Sequence, residues 1–230
     1  MIFFCYLLAQ QQFRSLIFDV LGTFQEEKIV QYSKKAFALH YDNIINGNKQ
    51  SPLILPDLRH PVYSIIASGG AEKEFDMLWE IHQRSDLSEE KRRCLQALGK
   101  FSQKHLLQRV LQLCLSPDVR HQDLSYPIGS VSSNPVGKMV AWEFFKDNWQ
   151  FFDETFNRGG QNFVVGAVVS AVTSVFLSAE MADTLEAFFK EHPVPSAETG
   201  LRQSLENVRV NSNRLKRDRT TVPDWLQAHV

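Results

Sequence analysis

Seven histidines, His40, His60, His82, His105, His121, His192 and His229, are the first residues to test for metal binding or acid–base chemistry. No two stand as H-x-H or H-x-x-x-H. The zinc-hydrolase pattern H-E-x-x-H, which sets two imidazoles one helical turn apart with a glutamate base between them, is absent as well. The sequence nominates no catalytic residue, no metal ligand and no cofactor of its own. Nucleophilic catalysis has no better footing: there is no G-x-S-x-G elbow, and Ser68 and Ser130 read as turn serines beside glycines. Cys94 and Cys114 fall among apolar helix residues and read as small core hydrophobes. With Cys5 they make a widely spaced set of three, which suits thiols of a reducing compartment better than a disulfide framework. The stretch "ASGGAEKEF" lacks the spacing of a phosphate-cradling loop.

A charged cluster, "NSNRLKRDR", sets Arg214, Lys216, Arg217 and Arg219 against Asp218. Basic residues near a helix C-terminus are favoured by the dipole, so a solvated helix end accounts for them, and His192 in "KEHPVPS" has the same explanation. No aromatic interleaving marks a nucleic-acid module. Arg214, Lys216 and Arg217 are peptide-binding candidates, because a cation on a recessed helical surface can hold a carboxylate.

The formal net charge of -1 gives the 230-residue chain no field that would draw it to nucleic acid or an acidic membrane. Its 43% hydrophobic content is that of a globular protein, and no N-x-S/T acceptor is present, in keeping with a cytoplasmic location. The start, "MIFFCYLLAQQQF", is apolar from Met1 to Ala9, too short to cross a bilayer and without the flanks of a signal peptide. It reads as part of a buried helix whose earlier neighbours are missing.

The elements that carry these residues are helices, since helical periods recur and two-residue alternation is nearly absent. Phe13, Leu16, Ile17 and Val20 share one face of a helix that Gly22 can end. The next helix has Glu26 and Glu27 at its N-terminal end and a stop at Asn46-Gly47. Pro52, Pro56 and Pro61 mark a loop, a short turn around "PDLR" and a helix beginning near Pro61.

Further helices are predicted over "AEKEFDMLWEIHQRS", over "DLSEEKRRCLQALGK" with Ser88 as N-cap candidate, and over "KHLLQRVLQLCLSP". The segment "DVRHQDLSYPIGSVSSNPVG" reads as turn-rich. Asn134 to Phe152 reads as a turn leading into one aromatic helix. On its wheel Trp142, Phe145 and Trp149 share one sector with Met139 on its shoulder, and Val136, Val140 and Phe144 share another, as core packing on two sides requires. After a turn at Gly159-Gly160 come the helices "NFVVGAVVSAVTSVF" and "AEMADTLEAFFKEH", then a final one from about Ala197 to Arg217. This is an all-α pattern, either a stack of helix pairs or a globular bundle.

Four dispersed blocks carry a resemblance: "LPDLRHPVYSII" at Leu55, "LSPDVRHQDLSYPIGSVSSNPVGKMVAWEFFKDNW" at Leu115, "AFFKEHPVPSAETGLRQSLENV" at Ala187 and "NRLKRD" at Asn213. In order and separation, from about Phe13 to Leu226, they resemble the C-terminal helical domain of zinc aminopeptidases of the puromycin-sensitive and endoplasmic-reticulum class, and look closest to the puromycin-sensitive branch. The resemblance implies an all-α, HEAT/armadillo-like α-superhelix of antiparallel helix pairs that closes over a separate catalytic domain and helps enclose a peptide. It implies residues 1–12 as an atypical apolar leader, helical in expectation, and residues 13–230 as a partial C-terminal domain.

Zinc, H-E-x-x-H and the G-A-M-E-N grip on the peptide amino terminus belong to that family's catalytic domain, and none is found here. The chain is therefore expected not to hydrolyse peptides by itself. Its implied partners are an aminopeptidase catalytic domain in a longer protein and a contacting peptide, with no nucleic acid and no transmembrane segment. Trp142, Phe145, Trp149, Phe188 and Phe189 are expected to be structural. An independent helical adaptor or an inactive truncated fragment is the alternative expectation.

Overall fold

Caps and close backbone approaches set where the helices begin, end and touch. The computed structural model describes residues 2–47 and 54–229, and among them the chain is all-α, with twelve α-helices and no strand. The loop around Pro52, the side chain of Cys5 and the burial of leader residues 1–8 lie outside the described residues, while Ala9 to Gln12 are exposed rather than buried as expected. The chain divides into two compact units, Met1–Gly137 and Lys138–Val230.

In the first unit α1 (Ile2–Thr23), α2 (Glu27–Asn46), α3 (Arg59–Gly69), α4 (Glu72–Arg84), α5 (Ser88–Leu98), α6 (Lys104–Leu113) and α7 (Ser125–Ser133) follow on short connections. α1 packs on α3, α3 on α5 and α5 on α7, while α2 packs on α4 in a second row. Alternate helices thus stack in two layers, the HEAT/armadillo-like arrangement in which each pair is covered by the next. Glu26 caps α2 by accepting from the Ile29 amide at 2.9 Å. Gly47 stops the same helix in the left-handed region at φ 67°, where a side chain would be strained. Gly22 lets α1 lie against α3, since a Cβ there would stand 2.4 Å from Ile65 Cδ1. Val62, Tyr63, Phe75, Leu78, Ile81, Leu98 and Phe101 are fully buried between the layers, each worth about 1.5–3 kcal/mol over exposure.

Three sequence expectations change in this unit. The supposedly turn-rich segment contains α7, because Pro127 occupies its first turn, where a missing N–H breaks no helical bond. Ser68 and Ser130 accordingly sit in helices. The Ser130 hydroxyl donates to the Gln96 carbonyl at 2.5 Å, tying α7 to α5. Ser88 is not the N-cap but the first residue of α5; its hydroxyl faces Arg120 Nη1 at 3.2 Å instead of an amide of its own helix.

The second unit holds α8 (Lys138–Asp147), α9 (Trp149–Phe152), a π-turn (Asp153–Asn157), α10 (Asn162–Thr173), α11 (Ala179–Glu191) and α12 (Glu198–His229). α8 packs on α10, α10 on α12 and α11 on α12. The aromatic helix is broken at Asn148, whose side-chain amide donates to the Phe144 carbonyl at 2.8 Å and competes with the backbone. Val136 lies exposed in the turn before α8, so the second sector of the wheel is narrower than expected, and Met139 on the shoulder of the first is exposed. The final helix outruns its expected end by continuing through Pro223 to His229 along a fully exposed tract, where water can satisfy the carbonyl that proline leaves free.

Candidate functional site

The polar chemistry of the first unit is built around one buried carboxylate. Glu90, 3% exposed, accepts from Arg59 Nη1 at 3.1 Å, Arg93 Nη1 at 2.9 Å and the Tyr63 hydroxyl; His40 Nε2 stands 3.8 Å away, beyond hydrogen-bond range. Burial pushes the Glu90 carboxyl up, but His40, Tyr63 and Arg59 outweigh it and hold it down at about 2. Burial, with the neighbouring Cys94 and Glu90, raises the Tyr63 hydroxyl. Cys94 and Cys114 are themselves buried, and burial raises both thiols, which makes them inert core residues as read from the sequence. This cluster joins α2, α3 and α5; Glu90, Tyr63 and His40 are buried, while Arg59 and Arg93 are partly exposed at its edge.

Above it, the row formed by α1, α3, α5 and α7 carries two clefts that share His60. One, of about 320 Å³, is lined by Asp19 of α1, Ser64 and Ser68 of α3, Lys100, and Ser133 at the end of α7. The Ser64 hydroxyl there is buried with no hydrogen-bond partner among the described residues. The other, of about 460 Å³, is lined by Asp57, Glu89, Arg92, Arg93, Gln96 and Tyr126. Burial lowers the His60 imidazole, so the ring between the two clefts is held toward its neutral form. Asn134 fixes one wall: its side-chain amide donates to the carbonyls of Gly99 at 3.0 Å and Phe101 at 2.8 Å, and its carbonyl accepts from the Val136 amide at 3.0 Å.

The residues nominated from the sequence lie elsewhere. Arg214, Lys216 and Arg217 are exposed on α12, where Arg217 Nε donates to Asp218 at 2.8 Å and Arg214 approaches the same carboxylate at 3.5 Å. Trp142, Phe145 and Phe189 are buried in the second unit, and Trp149 and Phe188 are half-buried. The Trp142 ring meets Phe188 edge-on at 5.2 Å, and Phe145 packs 5.0 Å from Phe152. His192 stacks on Phe188 at 4.3 Å, and its Nδ1–H donates to the Phe188 carbonyl at 2.9 Å, ending α11. The cleft residues His60, Arg92, Lys100 and Tyr126 escaped sequence reasoning because they are isolated positions on separate elements, with no spacing that links them.

Among the described residues no group of three or more His, Cys, Asp or Glu is placed to hold a metal ion, and no helix is long and apolar enough to cross a membrane. Residues 8–210 match the family model described as the ERAP1-like C-terminal domain. Similar proteins include aminopeptidase M1 of Arabidopsis thaliana, 30% identical over 203 residues, covering 87% of this chain and 22% of the relative. Aminopeptidase 2 of Candida albicans is 29% identical over 222 residues, 96% of this chain and 23% of the relative. Aminopeptidase N of Bos taurus is 31% identical over 194 residues, 82% of this chain and 20% of the relative. The chain spans about a fifth to a quarter of the length of these relatives. Similarity spread over a plant, a yeast and a mammal singles out no one branch.

Proposed function

The chain belongs to the family of ERAP1-like C-terminal domains, and on that premise we propose that it is the non-catalytic module that encloses substrate and packs on the catalytic domain of a zinc aminopeptidase. The reaction of the whole enzyme is the removal of amino-terminal residues from peptides. Its zinc and its catalytic residues belong to the catalytic domain, the partner of this module in a longer polypeptide. The four sequence blocks favour the puromycin-sensitive branch, and widely spaced cysteines without a glycosylation acceptor favour a cytoplasmic setting.

The observation that carries this reading is the family match across residues 8–210. Two features of the first unit support it. Its α1–α3–α5–α7 row bears polar clefts suited to an extended peptide. Phe13, Leu16, Ile17 and Val20 stay exposed on one face of α1, a face that domain packing would cover. Peptide contact through Arg214, Lys216 and Arg217 is part of the same proposal. The test is an aminopeptidase assay on the isolated chain supplied with zinc and freed of contaminating peptidases: no amino-terminal release is expected, and clear turnover would refute the non-catalytic assignment.

A further inference from the structure

A cleft of about 450 Å³ lies within the second unit, lined by Trp149 of α9, Asp153 of the π-turn, Arg158, Glu191 at the end of α11, His192 and Pro193. Its walls are held in place. Asn157, the last residue of the π-turn, donates its side-chain amide to Asp153 Oδ1 at 2.7 Å and to the Pro193 carbonyl at 3.2 Å. The half-buried Trp149 is met edge-on by Phe145 and Phe188, each at 5.7 Å, and by His192 at 5.3 Å. Charge in this cleft is unbalanced. Arg158 answers the buried Asp153 at 2.7 Å, which spends the cation of the lining. Glu191 has no cation in salt-bridge range among the described residues. It is also the last residue of the 13-residue α11, whose negative end opposes a carboxylate and favours a cation, and Lys190 of the same turn does not line the cleft. His192 supplies a further acceptor. A carbonyl can only accept, so the Nδ1 that meets the Phe188 carbonyl at 2.9 Å carries the proton, and in the neutral ring Nε2 is left to accept.

We infer that this cleft is a binding site for the arginine side chain of an extended polypeptide segment, with Glu191 as its counter-charge and Trp149 as its stacking wall. The open groups of the cleft are acceptors and an indole, and a guanidinium is the side chain that uses both: its edge donates to several acceptors while its flat face lies on an aromatic ring. An ammonium is a point charge and gains less from the ring. Binding also places a positive charge at the end of α11, where the helix dipole and Glu191 both favour it. The volume of about 450 Å³ holds one such side chain with the residues that flank it. Because the π-turn and the segment after α11 are already tied together through Asn157, little ordering remains to oppose binding. The site lies wholly in the second unit and does not depend on the peptide-enclosing reading.

The probe is a fluorescently labelled hexapeptide, capped at both ends and otherwise uncharged, titrated with the full chain in three versions that carry one central arginine, lysine or citrulline, the last a neutral copy of arginine. The arginine peptide is expected to bind about tenfold tighter than the citrulline peptide, the scale of one charge-assisted contact. It is expected to bind about threefold tighter than the lysine peptide, the scale of stacking on a partly exposed ring. Glu191→Gln abolishes the preference over citrulline and Glu191→Asp restores part of it. Trp149→Phe removes most of the advantage over lysine. Arg158→Gln, which uncovers the Asp153 carboxylate, tightens binding of the arginine peptide. Glu191 and Arg158 are exposed and Trp149→Phe keeps a ring in place, and circular dichroism and melting curves of each variant establish that it is folded. Equal binding of the arginine and citrulline peptides, a preference that survives Glu191→Gln, or no binding of any of the three overturns the site. Lysine binding as tightly as arginine, with Trp149→Phe without effect, overturns the guanidinium assignment.

Discussion

The two units hold themselves together by opposite means. The first centres on a buried ion cluster, Glu90 with Arg59, Arg93, Tyr63 and His40, set among aliphatic layers. The second centres on aromatic rings, Trp142, Phe145, Phe152 and Phe189, beside an all-apolar face of α10 that buries Val165, Val168 and Val169. Its buried carboxylate, Asp153, sits at the rim and pairs with the exposed Arg158 at 2.7 Å. A central ion cluster makes stability depend on ionisation and fixes how three helices meet. Ring packing depends on volume and is indifferent to pH. In the first unit Arg93 belongs both to the cluster and to the wall of the larger cleft, whereas the cleft of about 450 Å³ in the second unit is walled by Trp149, Asp153 and His192.

Breaking either centre gives the largest effects. Glu90→Ala leaves the buried Tyr63 hydroxyl without its acceptor and the partly exposed Arg59 without its carboxylate, while Arg93 keeps Glu89, and is expected to cost about 2–4 kcal/mol. Phe145→Ala leaves a ring-sized hole and is expected to cost about the same. Hydrogen exchange read separately over residues 2–137 and 138–229 tells them apart: the first variant loosens the first unit and the second variant the second. An equal loss in both units for either variant would remove the contrast.

Acid sharpens the comparison at a smaller scale. The Glu90 carboxyl is lowered in the fold to about 2 from its ordinary 4.5. The folded state therefore binds its proton more weakly than the unfolded state does, and the stabilisation is complete above pH 4.5 and lost as pH falls toward 2. The loss amounts to roughly 3 kcal/mol and falls on the first unit alone, as denaturant melts at stepped pH would register. The smallest effect is a control. Phe163, 85% exposed on α10, touches neither centre, and Phe163→Ser is expected to change stability by less than about 0.5 kcal/mol.

Part of the aromatic centre could be read from the sequence: Trp142 and Phe145 recur at helical spacing and are buried, while Trp149 of the same sector is half-buried. The ionic centre could not. His40, Tyr63 and Glu90 come from three helices, and each alone looks like an ordinary surface residue on an amphipathic segment. The same reason hid Arg92 and Tyr126, which meet only because α5 and α7 stack. Local chemistry also misled in places. Serines and a proline made α7 look like a loop although the proline falls in its first turn, and Asn148 broke a helix that its hydrophobic wheel would have carried through.

The peptide-enclosing reading predicts a ligand on the α3–α5–α7 row and no chemistry performed on it. Titrating the isotope-labelled, zinc-supplemented chain with an unlabelled peptide bearing a free carboxylate, and following amide resonances, tests both halves at once. The expected result is shifts concentrated around His60, Arg92, Gln96 and Tyr126 with the peptide recovered intact. Release of its amino-terminal residue, or saturation with those resonances unmoved, would contradict the account.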